Sequence, residues 1–275
     1  MPVTPLRLVA SGPAVDVMRG VTSVDRRRVE YAAITTARMR RRAPTLVLLH
    51  ESLDSLAAWK DFPRALVRAT GCPAFVFSRA GCGQSDPPIE ARRRDYLHVE
   101  AHAMLPALLS QHGIDRPLLV GHGDGASLAL LHAASFGVAG VAAMAPYAFV
   151  EEQTLARIRV ARAVYESSDW KKRLARLHRD PDATFRAWSD TWIDPAFRDW
   201  SIESALRTLS CPVVLIQGDD DPYATAAQMM TIARAVRGPV KSIELEGIGH
   251  APWQDAPAAV IAAIVDLVER IAPRD

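Results

Sequence analysis

The most specific chemical signal is Leu118–Leu131, LLVGHGDGASLALL, where an apolar run enters Gly121-His122-Gly123-Asp124-Gly125 and continues into a segment rich in Ala and Leu. That order predicts a strand, a tight turn and a helix. Small residues let strand and helix approach closely, and the central residue is raised at the end of the sheet. A turn of this form presents a nucleophile, but the centre here is Gly123, which has no side chain to attack a carbonyl. Glycine also relaxes the backbone strain that a serine tolerates at such a position, and it leaves a volume in which a water can sit.

Other groups carry weaker signals. Cys82 lies in Gly81-Cys82-Gly83, with no neighbour in sequence to lower its pKa, and reads as structural. His98 and His102 share a helix face, but no third ligand accompanies them, so no metal is expected. The Gly81–Ser85 stretch lacks the lysine of a phosphate loop. The arginine runs Arg26–Arg28, Arg40–Arg42 and Arg92–Arg94 read as solvated faces.

The elements that must position these residues are legible as short apolar runs bounded by Pro, Gly or charge. They are Thr45–His50, Pro73–Ser78, Pro117–Gly121, Val138–Ala145, Pro212–Gln217 and Val240–Leu245. The first four are nearly continuous in apolar character, as parallel strands covered on both faces are. Helical patterns alternate with them at Trp59–Thr70, Tyr96–His112, Asp124–Phe136, Ala224–Val236 and Pro257–Ile271. The alternation predicts a mostly parallel, doubly wound α/β sheet. Arg28–Ile34 alternates in polarity and is expected to form an antiparallel edge pair with Leu6–Ala10. Residues 151–209 break the rhythm: no buried strand occurs, and Trp170, Trp188, Trp192 and Trp200 account for four of the six tryptophans. This stretch reads as a helical cap, with residues 1–150 and 210–275 forming the core. The tryptophans either roof a pocket, which would make Trp170, Trp188 and Trp192 ligand contacts, or merely hold the cap in place.

The elbow GHGDG, the HESLDS stretch from His50, SRAGCGQSD at Ser78–Asp86, QGDDDPY at Gln217–Tyr223 and GIGH at Gly247–His250 together resemble the α/β-hydrolase fold superfamily. Bacterial members with GHSDG at the elbow are especially similar. The resemblance extends over nearly the whole chain, and it implies an α/β-hydrolase fold with a triad in the chain order Ser, Asp, His. Asp221 then takes the acid position and His250 the base position, while Gly123 departs from the serine. The resemblance further implies an oxyanion hole made by the backbone N–H of Asp124 with that of Ser52 or Glu51, and it places His122 beside the substrate. The side chain of Asp124 is expected to point elsewhere. Ser52 becomes a relocated nucleophile only if its hydroxyl meets His250.

Asp221 and His250 can still orient and move a proton, so three readings stand: a silenced serine hydrolase, an enzyme using His250 as base without an acyl-enzyme, and a non-catalytic small-molecule-binding protein. The enzyme readings imply a small ester, lactone or other carbonyl substrate and no cofactor. With 33 Lys+Arg against 31 Asp+Glu, nucleic acid is not an expected partner. The uncharged stretch between Asp124 and Glu151 is interrupted by His132, Gly137, Gly140 and Pro146, which argues against a membrane span. Three widely spaced cysteines and an N-terminus without a signal-peptide pattern predict a reducing, cytoplasmic setting, and nothing in the sequence fixes the oligomeric state.

Overall fold

A computed structural model describes residues 14–88, 90 and 92–272. Its frame is one eight-stranded sheet. The strands are β1 (Val15–Val24), β2 (Arg27–Thr36), β3 (Leu46–Leu49), β4 (Ala74–Phe77), β5 (Leu118–His122), β6 (Gly140–Met144), β7 (Val213–Gly218) and β8 (Val240–Leu245). They lie in the order β1-β2-β4-β3-β5-β6-β7-β8. The pairs β1–β2 and β2–β4 are antiparallel and every other pair is parallel. The edge pair predicted for Arg28–Ile34 exists, but its partner is β1. Val15–Val24 alternates between half-buried and exposed positions, as an edge strand does, whereas Leu6–Ala10 lies outside the described residues.

The central strands are apolar throughout because both faces are covered. Val47, Leu49 and Leu119 enter one core with Leu97, Leu105, Leu128 and Leu131, from α2 (Tyr96–Val99), α3 (Leu105–Gln111) and α4 (Asp124–Ser135). Leu46, Leu48, Leu118 and Val120 enter the other with Leu66, Trp253 and Ile264. Those partners come from α1 (Phe62–Thr70), α10 (Pro252–Asp255) and α11 (Pro257–Ile271). The expected helix from Trp59 is split. A 3-10 turn over Leu56–Trp59 ends at Lys60, whose φ is 50°, and α1 restarts with Pro63 in its first turn, where a missing N–H costs nothing. The helix expected over Tyr96–His112 is interrupted by a π-type turn at Glu100–Met104, immediately before the α3 segment that carries Pro106.

Between β6 and β7 the chain forms α5 (Glu152–Val164), α6 (Trp170–Leu174), α7 (Pro181–Ile193) and α8 (Glu203–Leu206), after which come β7 and α9 (Ala226–Ala235). This insertion is fastened to loops that follow the strands. Thr154 Oγ1 donates to the Tyr223 carbonyl at 2.5 Å, Thr184 Oγ1 to the Gly81 carbonyl at 2.8 Å, and His178 Nε2 to the Leu53 carbonyl at 3.0 Å. The insertion therefore lies over the carboxyl end of the sheet. The long uncharged stretch resolves into α4 and β6, and among the described residues no helix is long and apolar enough to cross a membrane.

A close backbone approach occurs where α4 leaves β5. A Cβ on Gly125 would lie 2.1 Å from the Leu49 carbonyl oxygen, and one on Gly121 would lie 2.4 Å from the Gly125 carbonyl oxygen. Neither obstacle is a flexible side chain, so Gly125→Ala is expected to destabilise the fold by about 1–3 kcal/mol through overpacking. Gly137→Ala, with nothing within 4 Å, is the neutral control. Urea denaturation of the two variants checks this, and equal midpoints would contradict it.

Candidate active site

Four strand ends converge. β3 delivers His50, Glu51 and Ser52; β5 delivers His122, Gly123 and Asp124; and the loops after β7 and β8 deliver Asp221 and His250. Gly123 has φ 54° and ψ −123°, so the sharp strand-to-helix turn retains its left-handed backbone although no side chain requires it. The expected relaxation does not occur, because Gly121 and Gly125 on either side are locked by their own backbone contacts.

The space above Gly123 belongs to Glu51. A Cβ built on Gly123 would lie 1.3 Å from Glu51 Oε2, so a carboxylate fills the volume expected to hold a water. Glu51 Oε1 accepts the Ser52 N–H at 2.7 Å, and Oε2 accepts the Asp124 N–H at 3.2 Å. The two amides expected to receive a substrate oxygen thus receive an oxygen of the protein. Glu51 enters this arrangement as the acceptor, through its side chain. His250 Nε2 stands 3.3 Å from Glu51 Oε2, and His250 Nδ1 stands 2.8 Å from Asp221 Oδ2. Asp221 is held by the N–H groups of Tyr223 and Ala224 on its Oδ1, at 2.8 and 3.3 Å. Tyr147, which the sequence reading did not single out, brings its hydroxyl 3.3 Å from His250 Nε2.

The other sequence candidates have different surroundings. His122 donates from Nε2 to the His250 carbonyl at 2.8 Å and accepts at Nδ1 from Trp253 Nε1–H at 3.3 Å. Both nitrogens are engaged within the protein, and the ring steadies the loop that carries His250. Glu51, His122 and His250 bring potential ligand atoms within 4.8 Å of one another, but the commitments of His122 leave it no lone pair for a metal. The Ser52 hydroxyl donates to Asp124 Oδ2, which also accepts from Tyr96 Oη at 2.5 Å, so Ser52 does not meet His250. Trp192 packs edge-on against Tyr147 with ring centroids 4.8 Å apart, one ring removed from His250. Trp188 and Trp170 instead pack on Phe185 within the insertion. Cavities of about 370 and 350 Å³ flank Ala80, Pro88, Glu90 and Arg92, away from Glu51 and His250. Cys82 is buried, and that burial raises its thiol pKa.

The family model of the alpha/beta hydrolase family matches residues 46–263. The chain belongs to the alpha/beta hydrolase family. Its fold is the α/β-hydrolase fold, shared with solved structures of low sequence identity. A proline iminopeptidase from Mycobacterium smegmatis superposes with a TM-score of 0.71 at 16% identity, covering 93% of this chain and 99% of that one. A haloalkane dehalogenase from Bradyrhizobium elkani gives 0.69 at 20%, covering 93% and 99%. An enol-lactonase from Burkholderia xenovorans gives 0.69 at 20%, covering 90% and 99%. Among curated relatives, Epoxide hydrolase A of Mycobacterium tuberculosis is 29% identical over 79 residues, 28% of this chain and 24% of that protein. The similar segment thus spans about a quarter of that relative's length.

In this alpha/beta hydrolase the site is electrostatically paired. Burial opposes a charged imidazole at His250, but the hydrogen bonds to Asp221 and Glu51 and their charges outweigh it, raising its pKa to about 10. Burial likewise opposes the Glu51 carboxylate, but His250 and the Ser52 N–H overcome that and lower its pKa to about 2. The pair is therefore imidazolium and carboxylate at neutral pH. Burial, reinforced by the charge on His250, depresses His122 to about 4 and keeps it neutral. Burial and the charge on Glu51 push Asp124 up to about 6 and Asp54 up to about 7.

The expected outcome is an NMR titration midpoint for His250 near 10, falling towards the ordinary histidine range in Glu51→Gln. The sign for stability follows by linkage. The raised His250 stabilises fully below its ordinary 6.5 and loses that contribution as pH rises through about 10. The depressed Glu51 stabilises fully above its ordinary 4.5 and loses that contribution as pH falls through about 2. The stability gap between the parent and Glu51→Gln should be widest between pH 4.5 and 6.5 and narrow towards pH 10. A gap independent of pH would contradict the ion pair.

Proposed function

We propose that this alpha/beta hydrolase cleaves a small ester, lactone or related electrophile without forming an acyl-serine. In this reading Gly123 stands where the nucleophilic serine of similar enzymes would be, His250 carries the proton chemistry and Asp221 orients it. The supporting observation is that His250, bound through Nδ1 to Asp221, aims Nε2 at the group occupying the elbow, Glu51 Oε2, at 3.3 Å. The reaction uses protein groups and water. Residues 151–209 act as a cap over the strand ends, with Trp192 behind Tyr147 as part of the roof. The partner is a small molecule and neither nucleic acid nor a membrane. The setting is cytoplasmic, in keeping with Cys72, Cys82 and Cys211 as free thiols.

A second reading, a small-molecule-binding protein, draws on one feature: the amides of Ser52 and Asp124 are both occupied by Glu51, so the resting site offers a carbonyl oxygen no donor. Turnover separates the two readings. On a panel of small esters, lactones and epoxides, His250→Ala should reduce kcat/KM by about 10²–10⁴, the usual contribution of a positioned acid or base. The circular dichroism of the variant should match that of the parent. Ligand binding without turnover, unaffected by His250→Ala, would favour the binder.

The occupancy of the elbow has its own test. Gly123→Ser introduces a hydroxyl into the volume held by Glu51, so side chain and carboxylate compete for it. Labelling of Gly123→Ser by a fluorophosphonate should be roughly 10²-fold or more faster when combined with Glu51→Ala, the order of a lost oxyanion interaction. Equal rates would show that Glu51 does not hold that space.

A further inference from the structure

We infer that Glu51 is itself the nucleophile, and that the atom it attacks is a saturated carbon, as in a small epoxide. This inference rests on the preceding reading that His250 moves protons in the reaction, and it adds the attacking atom and the substrate class.

The argument begins with the donors. Attack at a carbonyl carbon places negative charge on the substrate oxygen, which then needs preorganised N–H donors. The Ser52 and Asp124 amides are already engaged by Glu51 Oε1 and Oε2 at 2.7 and 3.2 Å, so a carbonyl substrate finds them taken. Attack at a saturated carbon makes no such demand. Its charge appears on the leaving oxygen, which needs a proton, and proton donors stand at that point. His250 Nε2 is 3.3 Å from Oε2, and the Tyr147 hydroxyl is 3.3 Å from the same nitrogen. The carboxylate is ionised, partly exposed at 14% of its side-chain surface, and located where an elbow side chain would begin.

The same donors then suit the second half of the reaction. Oε2 attacks the less hindered epoxide carbon, that C–O bond breaks, and the alkoxide takes the Nε2 proton of His250. The products of this step are a glutamyl ester and a neutral imidazole. Proton transfer to the alkoxide leaves the imidazole neutral, and esterification removes the Glu51 share of the charge that, with Asp221, favoured its protonated form, so the ring becomes a base oriented by Asp221 at 2.8 Å. It takes a proton from water as the hydroxide adds to Glu51 Cδ. The developing oxyanion is on Oε1, which already holds the Ser52 N–H. Collapse of the tetrahedral intermediate breaks the ester C–O bond, and the departing alkoxide recovers a proton from His250. The carboxylic acid then returns its proton to His250, restoring the ion pair. The sum is epoxide plus water to diol. An oxyanion hole closed around the protein's own carboxyl is placed to serve the hydrolysis of an ester of that carboxyl.

The test uses 1,2-epoxy-3-(4-nitrophenoxy)propane. With enzyme in excess over probe in ¹⁸O-water, the intact protein should form the diol and carry ¹⁸O in the tryptic peptide Ala43–Lys60, at Glu51. His250→Gln removes both the proton donor of the first half and the base of the second, so both halves should slow, and an adduct that does form should persist on the same residue. Glu51→Gln should abolish both signals. The isotope measurement needs no variant, so a misfolded His250→Gln leaves the test intact. Label appearing only in the diol, an adduct on another residue, or no reaction at Glu51 at millimolar probe overturns the inference. If esters or lactones are still turned over with dependence on His250, only the Glu51 assignment falls. If no panel substrate depends on His250, the functional reading falls with it.

Discussion

The site is organised by one constraint: the half-buried carboxylate of Glu51 has to be satisfied where three strand ends meet. Two backbone amides and one imidazole accomplish this, and each is fixed by a different element: the loop after β3, the first turn of α4 and the loop after β8. Removing any one leaves a largely enclosed charge short of partners, which is a costly defect in a protein. Gly123 belongs to the same constraint, because any side chain there would intrude on Oε2. The carboxylate also sets the charge state of its surroundings. Together with Asp221 it holds His250 protonated, and it disfavours ionisation of buried Asp124 and half-buried Asp54. His122 stays neutral and serves as a strut.

The scaffold delivers this precision through close backbone contact. β3 and β5 are neighbours in register, so Leu49 sits beside Gly121 and their loops emerge together. Gly125 brings the start of α4 against the Leu49 carbonyl, which aims the Asp124 N–H at the loop after β3. Asp124 turns its side chain into a buried cluster with Ser52 and Tyr96, tying both donors to one network. The aromatic packing of Tyr147 on Trp192 links the insertion to the same point, so the insertion bears on the His250 ring through Tyr147.

Much of this was legible in the sequence, for identifiable reasons. Buried parallel strands are continuous apolar runs, so five central strands could be placed to within a few residues. The tight turn at Gly121–Gly125 announced itself through glycines that the close contacts require. Asp221 and His250 stand out through their local motifs, and the structure brings the two side chains together. The side chain of Glu51 was not. Its backbone position follows from His50 and the preceding strand, but whether the carboxylate turns outwards or into the elbow depends on a partner 199 residues away. Only one hint was available: an acidic residue directly after a buried strand, facing a turn whose central residue lacks a side chain. Tyr147 was missed because an isolated tyrosine after a strand carries no motif. Trp170 and Trp188 were grouped with Trp192 because composition cannot distinguish a helix face directed at the site from one packed within the insertion.

A crystal structure of the unliganded protein near pH 7 tests the central claim most directly. The account predicts density for the Glu51 carboxylate above Gly123, within hydrogen-bonding distance of the Ser52 and Asp124 amides and of His250 Nε2. A Glu51 side chain turned away from Gly123, with ordered water on those amides, would contradict it.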